Sequence, residues 1–251
     1  MYSRRRLQLW WSCYIGYLGP SCKPFINFNG SAPSERSLNF KTLFIFLKFV
    51  LKSALIIFVR NPVLGKVKTR IAKDLGDDVA LDIYKKLLVY THSITKALPV
   101  HRTVFYADYL NDHDLWEASS YNKMLQWGSD LGERMHHAFE FLFAQGYSKV
   151  AIIGSDCMDL DQAIMTQAFD ALENNDAVIG PSLDGGYYLL GMNVFMPEVF
   201  KNKHWSTETV FDETIDCIKK AGYSFFLLPK LSDVDNGEDC KKYSQLLSLA
   251  L

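Results

Sequence analysis

Four basic residues follow directly after a short apolar segment, and together they could bind phosphate groups. The segment 55–59 reads LIIFV, and the loop after it contains Gly65 and the cations Arg60, Lys66, Lys68 and Arg70. Ligands of open α/β sheets bind outside the carboxyl ends of the strands, and a glycine lets the backbone approach a ligand closely. If residues 66–70 are extended, three of the cations point to one side. The loop therefore predicts binding of a nucleoside di- or triphosphate, with a merely solvent-exposed basic loop as the alternative.

Two acidic turns follow other predicted strands and could hold a divalent cation. Asp156 comes just after the apolar segment KVAIIG at 149–154, and Asp235 lies in the turn SDVDN at 232–236. Carboxylate oxygens at such an edge suit Mg²⁺ or Mn²⁺, which would bridge nucleotide phosphates. The alternative is that these acids cap turns or helices, a role that we also expect for Asp159. We predict a Mg²⁺ or Mn²⁺ site with Asp156 and Asp235 as ligands.

A third segment, GPSLDGGYYLLG at 180–191, places an acid beside two glycines. A D-G-G turn between two apolar segments is typical of a β-hairpin. Bare backbone beside a carboxylate also suits a sugar, so we predict that Asp184 is catalytic and that Gly185 and Gly186 contact the sugar or the acceptor. Trp205 could stack on a sugar ring or be a core residue.

The elements that must position these residues alternate between strand and helix. Short apolar segments predict strands at 55–59, 102–107, 124–127, 149–154, 177–180, 187–191 and 224–228. Helical periodicity and capping residues predict helices over 77–98, 130–145, 161–173, 207–221 and 237–249, the fourth capped by Thr207. This alternation predicts an α/β fold with a mostly parallel central sheet and helices on both faces.

The first 51 residues differ from the rest in charge. Residues 1–53 contain eight Lys or Arg and one acid, whereas the remaining residues contain 19 Lys or Arg and 27 acids. We predict that residues 1–51 are an extension outside the fold, or an upstream stretch translated from a misplaced start, and that one domain covers 52–251. A membrane span over 43–59 is the alternative, although Lys48 and Lys52 interrupt it at a cost of a few kcal/mol each.

Composition limits the partners and the compartment. The five cysteines are scattered without any C-x-x-C pair, so neither a zinc site nor a disulfide framework is indicated. A reduced, cytoplasmic setting follows. The formal net charge of -1 gives no reason to expect nucleic acid as a partner, and we expect no membrane association.

Six segments in order resemble a known bacterial family. They read FVRNPVLGKVKTRI, QWGSDLGERM, GSDCMDL, DGGYYLLG, WST and DVDNGED, and they cover residues 54 to about 240. The family is the GT-A-like radical-SAM/selenodomain-associated transferases, also called arsenosugar-biosynthesis glycosyltransferases. Met158 replaces a proline of the family pattern and Asn236 a threonine, but neither change removes a proposed ligand.

The resemblance implies a nucleotide-diphospho-sugar transferase fold of the GT-A, Rossmann-like type, with Asp156 as the metal aspartate. The family name implies a metal-dependent glycosyltransferase that uses a nucleotide-sugar donor and a small-molecule acceptor. The basic loop is more similar to a nucleotidyltransferase signature, so the alternative is transfer from a nucleoside triphosphate to a phosphorylated small molecule, with release of pyrophosphate. A non-catalytic nucleotide-binding module is a second alternative, because a fold does not fix a function.

Overall fold

The computed structural model describes residues 52–205 and 207–247. In this part of the chain seven strands form one sheet. They are β1 (Ser53–Val59), β2 (His101–Tyr106), β3 (Asn122–Leu125), β4 (Lys149–Ile153), β5 (Ala177–Pro181), β6 (Tyr187–Met192) and β7 (Phe225–Leu227). The helices are α1 (Thr69–Leu75), α2 (Asp77–Thr95), α3 (Leu131–Ala144), α4 (Gln162–Ala171), α5 (Val210–Lys220), α6 (Gly237–Lys241) and α7 (Ser244–Leu247), with a 3₁₀ turn at Pro197–Phe200.

The strand order across the sheet is β3-β2-β1-β4-β6-β5-β7. Only β6 among these strands runs antiparallel to its neighbours, β4 and β5, whereas the other pairs are parallel. The predicted mostly parallel sheet is therefore confirmed. The hairpin expected at the D-G-G turn is also present, as the connection between β5 and β6.

Both faces of the sheet are covered by helices. In β1, Leu55 and Ile57 belong to one buried cluster that includes residues of α2, and Ala54 and Ile56 belong to a second cluster that includes residues of α3. All four side chains have no exposed surface. Burying an aliphatic side chain of this size contributes about 1.5–3 kcal/mol, so β1 is anchored from two sides. Its carboxyl end is consequently a fixed point for the loop that follows.

The conformation expected for residues 66–70 is wrong. Lys66 N donates a hydrogen bond to Val63 O at 3.0 Å, which closes a turn, and Gly65 within that turn has a φ of 72°. Helix α1 then begins at Thr69. The segment is therefore not extended, and its cations differ in exposure: Arg70 is 76% exposed, whereas only 9% of the Lys68 side chain is exposed.

Some predicted helix ends also differ. Helix α2 ends at Thr95 instead of residue 98, because the residue before Pro99 is disfavoured in a helix. The predicted capping role of Asp159 is taken by Asp161, whose Oδ1 accepts from Ile164 N at the start of α4. The residue before α5 is Thr209.

Thr207 does not cap α5, because its hydroxyl donates to His204 O. The closing helix is divided into α6 and α7. The side chain of Asn236 caps α6 by accepting from Glu238 N and Asp239 N. The end of the expected helix, at 248–249, lies outside the described residues.

No helix in residues 52–205 and 207–247 is long and apolar enough to cross a membrane. The second half of the apolar run 43–59 forms the buried strand β1. The prediction for residues 1–51 lies outside the described residues and stays a prediction.

A shortened chain that begins at Leu51 should fold as stably as the full chain. It retains Lys52, whose carbonyl accepts from Ser148 N at 2.9 Å next to the start of β4, and the whole of β1. Thermal unfolding of the two chains, followed by circular dichroism, should give midpoints within about 2 °C, since a change of 1 kcal/mol shifts Tm by about 2–4 °C in a domain of this size. A large loss of stability in the shortened chain would show that residues 1–50 belong to the fold.

Candidate active site

A cavity of about 1150 Å³ opens at the carboxyl ends of β1 and β4. Nine of the residues predicted from the sequence border it: Arg60, Lys66, Lys68, Arg70, Asp156, Asp184, Gly186, Trp205 and Asp235. Gly65 and Gly185 do not line this cavity. The cavity therefore brings the basic loop, both acidic turns and the hairpin turn together in one place.

Lys68 connects the basic loop to both acidic turns. Its Nζ donates to Asp156 Oδ2 and to Asp235 Oδ1, both at 3.0 Å. Arg70 Nη1 lies 3.6 Å from the other oxygen of Asp235. Hydrogen bonds between ionised partners are among the stronger ones in proteins. One ammonium group thus fixes two carboxylates that are far apart in the sequence.

The charge and the backbone of Lys68 both reflect this contact. Burial lowers the pKa of the lysine, but the charges of Asp156 and Asp235 outweigh burial and bring the pKa above its usual value of 10.5. The residue also has a φ of 45° and a ψ of 48°, in the left-handed region. That conformation costs roughly 1–2 kcal/mol in a residue other than glycine. The two ion pairs offset this cost.

The two acidic turns meet because the segment after β7 runs back across the sheet edge. Leu231 N donates to Pro181 O at the end of β5, at 3.1 Å. Three residues further on, Val234 N donates to Asp156 O at 2.9 Å. The segment thereby passes from the end of β5 to the end of β4, although β6 lies between these strands. Backbone hydrogen bonds therefore place Asp235 next to Asp156.

Asp233 is a functional candidate that the sequence analysis did not select. Its Oδ2 accepts from Ser182 Oγ at 3.0 Å, while its Oδ1 is buried and has no hydrogen-bond partner. Burial, reinforced by the negative charge of Asp156, raises the pKa of Asp233 to about 7. Its position in the motif D-x-D, two residues before Asp235, could have identified it from the sequence.

The carboxylates fit a divalent cation only together with a further ligand. Among residues 52–205 and 207–247, no three His, Cys, Asp or Glu side chains form a group that could hold a metal ion. Asp156 and Asp235 can nevertheless reach one cation, since both contact the same Nζ atom. Mg²⁺ commonly takes one or two carboxylates and completes its shell with substrate phosphates and water. The partnerless oxygen of Asp233 adds an acceptor in the same wall.

Trp205 packs on the core and also borders the cavity, whereas its predicted stacking on a sugar ring stays a prediction. The indole packs against the buried cluster that includes residues of α3. It lies directly on Gly132 of α3, where an added Cβ would be 2.3 Å from Trp205 Nε1. A larger residue at position 132 would displace the indole, so the glycine determines the shape of this wall.

The hairpin turn is held by backbone contacts. Gly186 N donates to Asp184 Oδ1 at 3.0 Å. Gly185 has a φ of 89°, and a Cβ there would lie 2.1 Å from Glu208 O. Phe211 N also donates to Gly185 O at 2.9 Å. Gly185 therefore joins the turn to the start of α5, whereas Asp184 is exposed at the cavity.

Two buried or half-buried polar side chains position the carboxyl end of β1. Tyr84 OH accepts from Arg60 N at 2.8 Å and donates to Arg60 O at 3.1 Å, and burial raises the pKa of Tyr84, which keeps it neutral. Gln126 Nε2 donates to Phe105 O at 2.9 Å and to Val59 O at 3.3 Å. Both side chains border the cavity, and neither was selected from the sequence.

Comparison with known proteins places this fold in a family. A protein of Desulfovibrio desulfuricans G20, provisionally named a nucleotide-diphospho-sugar transferase, is 32% identical and superimposes with a TM-score of 0.72. The match covers 80% of this chain and 89% of the other. The chain belongs to the family of that protein. Residues 90–207 also match the family described as "Uncharacterized protein conserved in bacteria (DUF2064)", and the predicted nucleotide-diphospho-sugar transferase fold is confirmed.

More distant structures share the fold alone. A cytidylyltransferase from Leptospira borgpetersenii is 14% identical over 80% of this chain and 88% of its own, with a TM-score of 0.50. A 4-diphosphocytidyl-2C-methyl-D-erythritol synthase from Anaerococcus prevotii is 10% identical over 80% and 97%, with a TM-score of 0.51. No curated protein matches the sequence.

Substitution Asp233→Asn should change how stability depends on pH. The folded-state pKa of about 7 exceeds the ordinary value of 3.8, so the folded wild type binds more protons than the unfolded chain between these values. Its free energy of unfolding should therefore fall as pH rises from about 4 to 7. The variant lacks this group and should gain stability relative to the wild type over that range.

Thermal unfolding at pH 4 and pH 8, in the presence of a chelator, measures the difference. We expect Tm values that differ little at pH 4 and a Tm several degrees higher for the variant at pH 8. Parallel pH profiles for the two proteins would contradict the burial of an ionisable Asp233.

Proposed function

We propose that the protein is a metal-dependent glycosyltransferase that uses a nucleotide-sugar donor and Mg²⁺ or Mn²⁺. The observation that supports this best is the cluster of Lys68, Asp156 and Asp235 in the wall of a large cavity. Cations and carboxylates side by side suit a diphosphate that is bound partly by protein and partly through a divalent cation. The family relationship to a protein provisionally named a nucleotide-diphospho-sugar transferase is in line with this proposal.

In the proposed mechanism the charged wall binds the diphosphate of the donor. Lys66 and Arg70 are exposed at the cavity and would donate hydrogen bonds to phosphate oxygens. Asp156 and Asp235 would hold the divalent cation, and Asp233 would support them. When bound, the cation would neutralise the charge that develops on the leaving nucleoside diphosphate. Donors that are already in place when this charge develops lower the barrier.

The opposite wall would hold the sugar and the acceptor. Asp184 borders the cavity with an exposed carboxylate, which would orient the acceptor hydroxyl and accept its proton. Trp205 would stack on a sugar ring, and Gly186 would let the ring lie close to the backbone. Correct placement of two reactants can supply a large part of the acceleration, so this wall decides which acceptor reacts.

Nucleotidyl transfer is the second candidate. The observation in its favour is that Arg60, Lys66, Lys68 and Arg70 all border the cavity, because such a group of cations would hold a triphosphate while pyrophosphate leaves. The structural neighbours that are cytidylyltransferases support the fold and not this reaction. The presence of Asp156, Asp184 and Asp235 at the cavity speaks against a non-catalytic module.

Two narrower statements remain proposals of ours. Assignment to the radical-SAM/selenodomain-associated or arsenosugar-biosynthesis transferases rests on the six sequence motifs. A cytoplasmic location rests on the scattered cysteines, of which Cys157, Cys217 and Cys240 are free thiols in the structure.

Substitution Arg70→Ala should weaken nucleotide binding without affecting the fold. A hydrogen bond to a charged group contributes about 1.5–3 kcal/mol, so the Kd for a nucleoside diphosphate with Mg²⁺ should rise roughly tenfold or more. The Tm should hardly change, because the side chain is 76% exposed and exposed ion pairs contribute little. Titration calorimetry with UDP, GDP, CDP, ADP and dTDP measures the binding.

Lys73→Ala provides the matched control, since Lys73 is an exposed cation on the same helix α1 but does not line the cavity. It should bind nucleotides as the wild type does. Equal affinity in the Arg70→Ala protein would remove the basic loop from the proposed site.

A product assay separates the two reactions. With Mg²⁺, the wild type should release a nucleoside diphosphate or monophosphate from a nucleotide sugar in the presence of an acceptor. Asp184→Ala should lower transfer at least 10²-fold, the lower range for a general base, and leave the affinity for nucleoside diphosphate within about twofold. Asp216→Ala, at an exposed position of α5 away from the cavity, is the control. Rapid pyrophosphate release from a triphosphate and a sugar phosphate would select nucleotidyl transfer instead.

A further inference from the structure

Lys68 lies between the two carboxylates that the proposed function assigns to a divalent cation. Its Nζ is 3.0 Å from Asp156 Oδ2 and 3.0 Å from Asp235 Oδ1. The second oxygen of Asp235 faces Arg70 Nη1 at 3.6 Å. Mg²⁺ binds carboxylate oxygens at 2.0–2.1 Å, so the ammonium group and the metal cannot share the space between these two carboxylates. Their positive charges would also repel each other at such a distance.

We propose that Lys68 is a built-in counter-ion that competes with Mg²⁺ or Mn²⁺ for Asp156 and Asp235. It leaves both carboxylates when the metal binds, and a phosphate group of the nucleotide then becomes its partner. Metal binding and nucleotide binding are thereby coupled, because each removes an obstacle to the other. This inference rests on the proposed function. It adds that the metal replaces Lys68 at the two carboxylates and that Lys68 then binds a phosphate group.

The structure limits the exchange to the lysine side chain. Val67 on one side of Lys68 is only 2% exposed, and Lys68 O accepts from Ala72 N at 2.9 Å in the first turn of α1. The backbone at residue 68 is therefore held on both sides. The four-carbon side chain retains its rotatable bonds, and it borders the cavity.

The surroundings explain why the released ammonium needs a phosphate. Arg60, Lys66 and Arg70 border the same cavity, so a lysine that leaves its two carboxylates shares the cavity with three other cations of the same loop and helix. A diphosphate supplies negative charge that this ammonium and these cations can bind. Without a nucleotide, Lys68 is more stable in contact with Asp156 and Asp235 than released into the cavity. The metal then has to displace it, so the metal affinity is low.

Metal affinity of the full chain tests the competition without any turnover. Electron paramagnetic resonance of Mn²⁺ gives the Kd for the wild type, Lys68→Met and Lys73→Met. Lys73→Met removes the same charge from helix α1, but Lys73 is exposed and does not line the cavity. We expect Mn²⁺ to bind Lys68→Met at least tenfold more tightly than the wild type, and Lys73→Met within about threefold of it.

Addition of a nucleoside diphosphate should tighten Mn²⁺ binding by the wild type at least fivefold beyond the effect on Lys68→Met. Mn²⁺ binding to Lys68→Met that equals or is weaker than that of the wild type overturns the inference. An equal gain in Mn²⁺ affinity in Lys68→Met and Lys73→Met also overturns it, because the effect would then be one of overall charge.

Chemical labelling of the unaltered chain gives a second test that does not depend on the folding of a variant. Acetic anhydride modifies accessible lysines, and mass spectrometry measures each site. With saturating Mn²⁺ and no nucleotide, acetylation of Lys68 should rise at least fivefold, while Lys66 and Lys73 should be unchanged. A Lys68 that stays equally protected overturns the inference. Failure of the proposed function would be seen in a different measurement, the nucleotide titration, in which Arg70→Ala would bind as tightly as the wild type.

Discussion

The ion pairs that Lys68 forms with Asp156 and Asp235 are the interaction around which this site is organised. Three carboxylates in one wall need positive charge, and Lys68 supplies it at 3.0 Å from two of them. The third, Asp233, is buried with one partnerless oxygen, and burial, reinforced by the negative charge of Asp156, raises its pKa. The left-handed backbone at Lys68 is held by the buried Val67 before it and by the hydrogen bond from Ala72 N to Lys68 O. A ligand with both a cation and phosphates would redistribute the same charges.

The second wall is shaped by packing and not by charge. Two glycines allow close approach: Gly132 accommodates the indole of Trp205, and Gly185 lies against the backbone of Glu208. Both contacts connect elements that are far apart in the chain. In the proposed transferase the charged wall would bind what all donors share, the diphosphate, while the packed wall would distinguish sugars and acceptors. Changes at the glycines would then alter specificity more than donor binding.

Local sequence failed as a guide where long-range contacts outweigh local preference. The composition of residues 66–70 allows an extended segment. In the structure, however, Lys68 contacts Asp235 and helix α1 begins at the next residue. Thr207 has the side chain of a helix cap, yet its hydroxyl donates to His204 O and α5 begins at Val210. Asp233 and Asp235 lie in the same short turn, and only the tertiary structure distinguishes them, because Asp233 is buried beside Ser182 whereas Asp235 contacts Lys68.

The sequence by itself determined the seven strands, their alternation with helices and the loops that carry the charged residues. It could do so because strand and helix periods and the buried β-branched segments are properties of neighbouring residues. Only the tertiary structure decided which charges meet, since Lys68 lies 88 residues from Asp156 and 167 from Asp235. That contact depends on the strand order, on the antiparallel insertion of β6 and on the return of the segment after β7. These arise from the packing of the whole sheet, which no local pattern encodes.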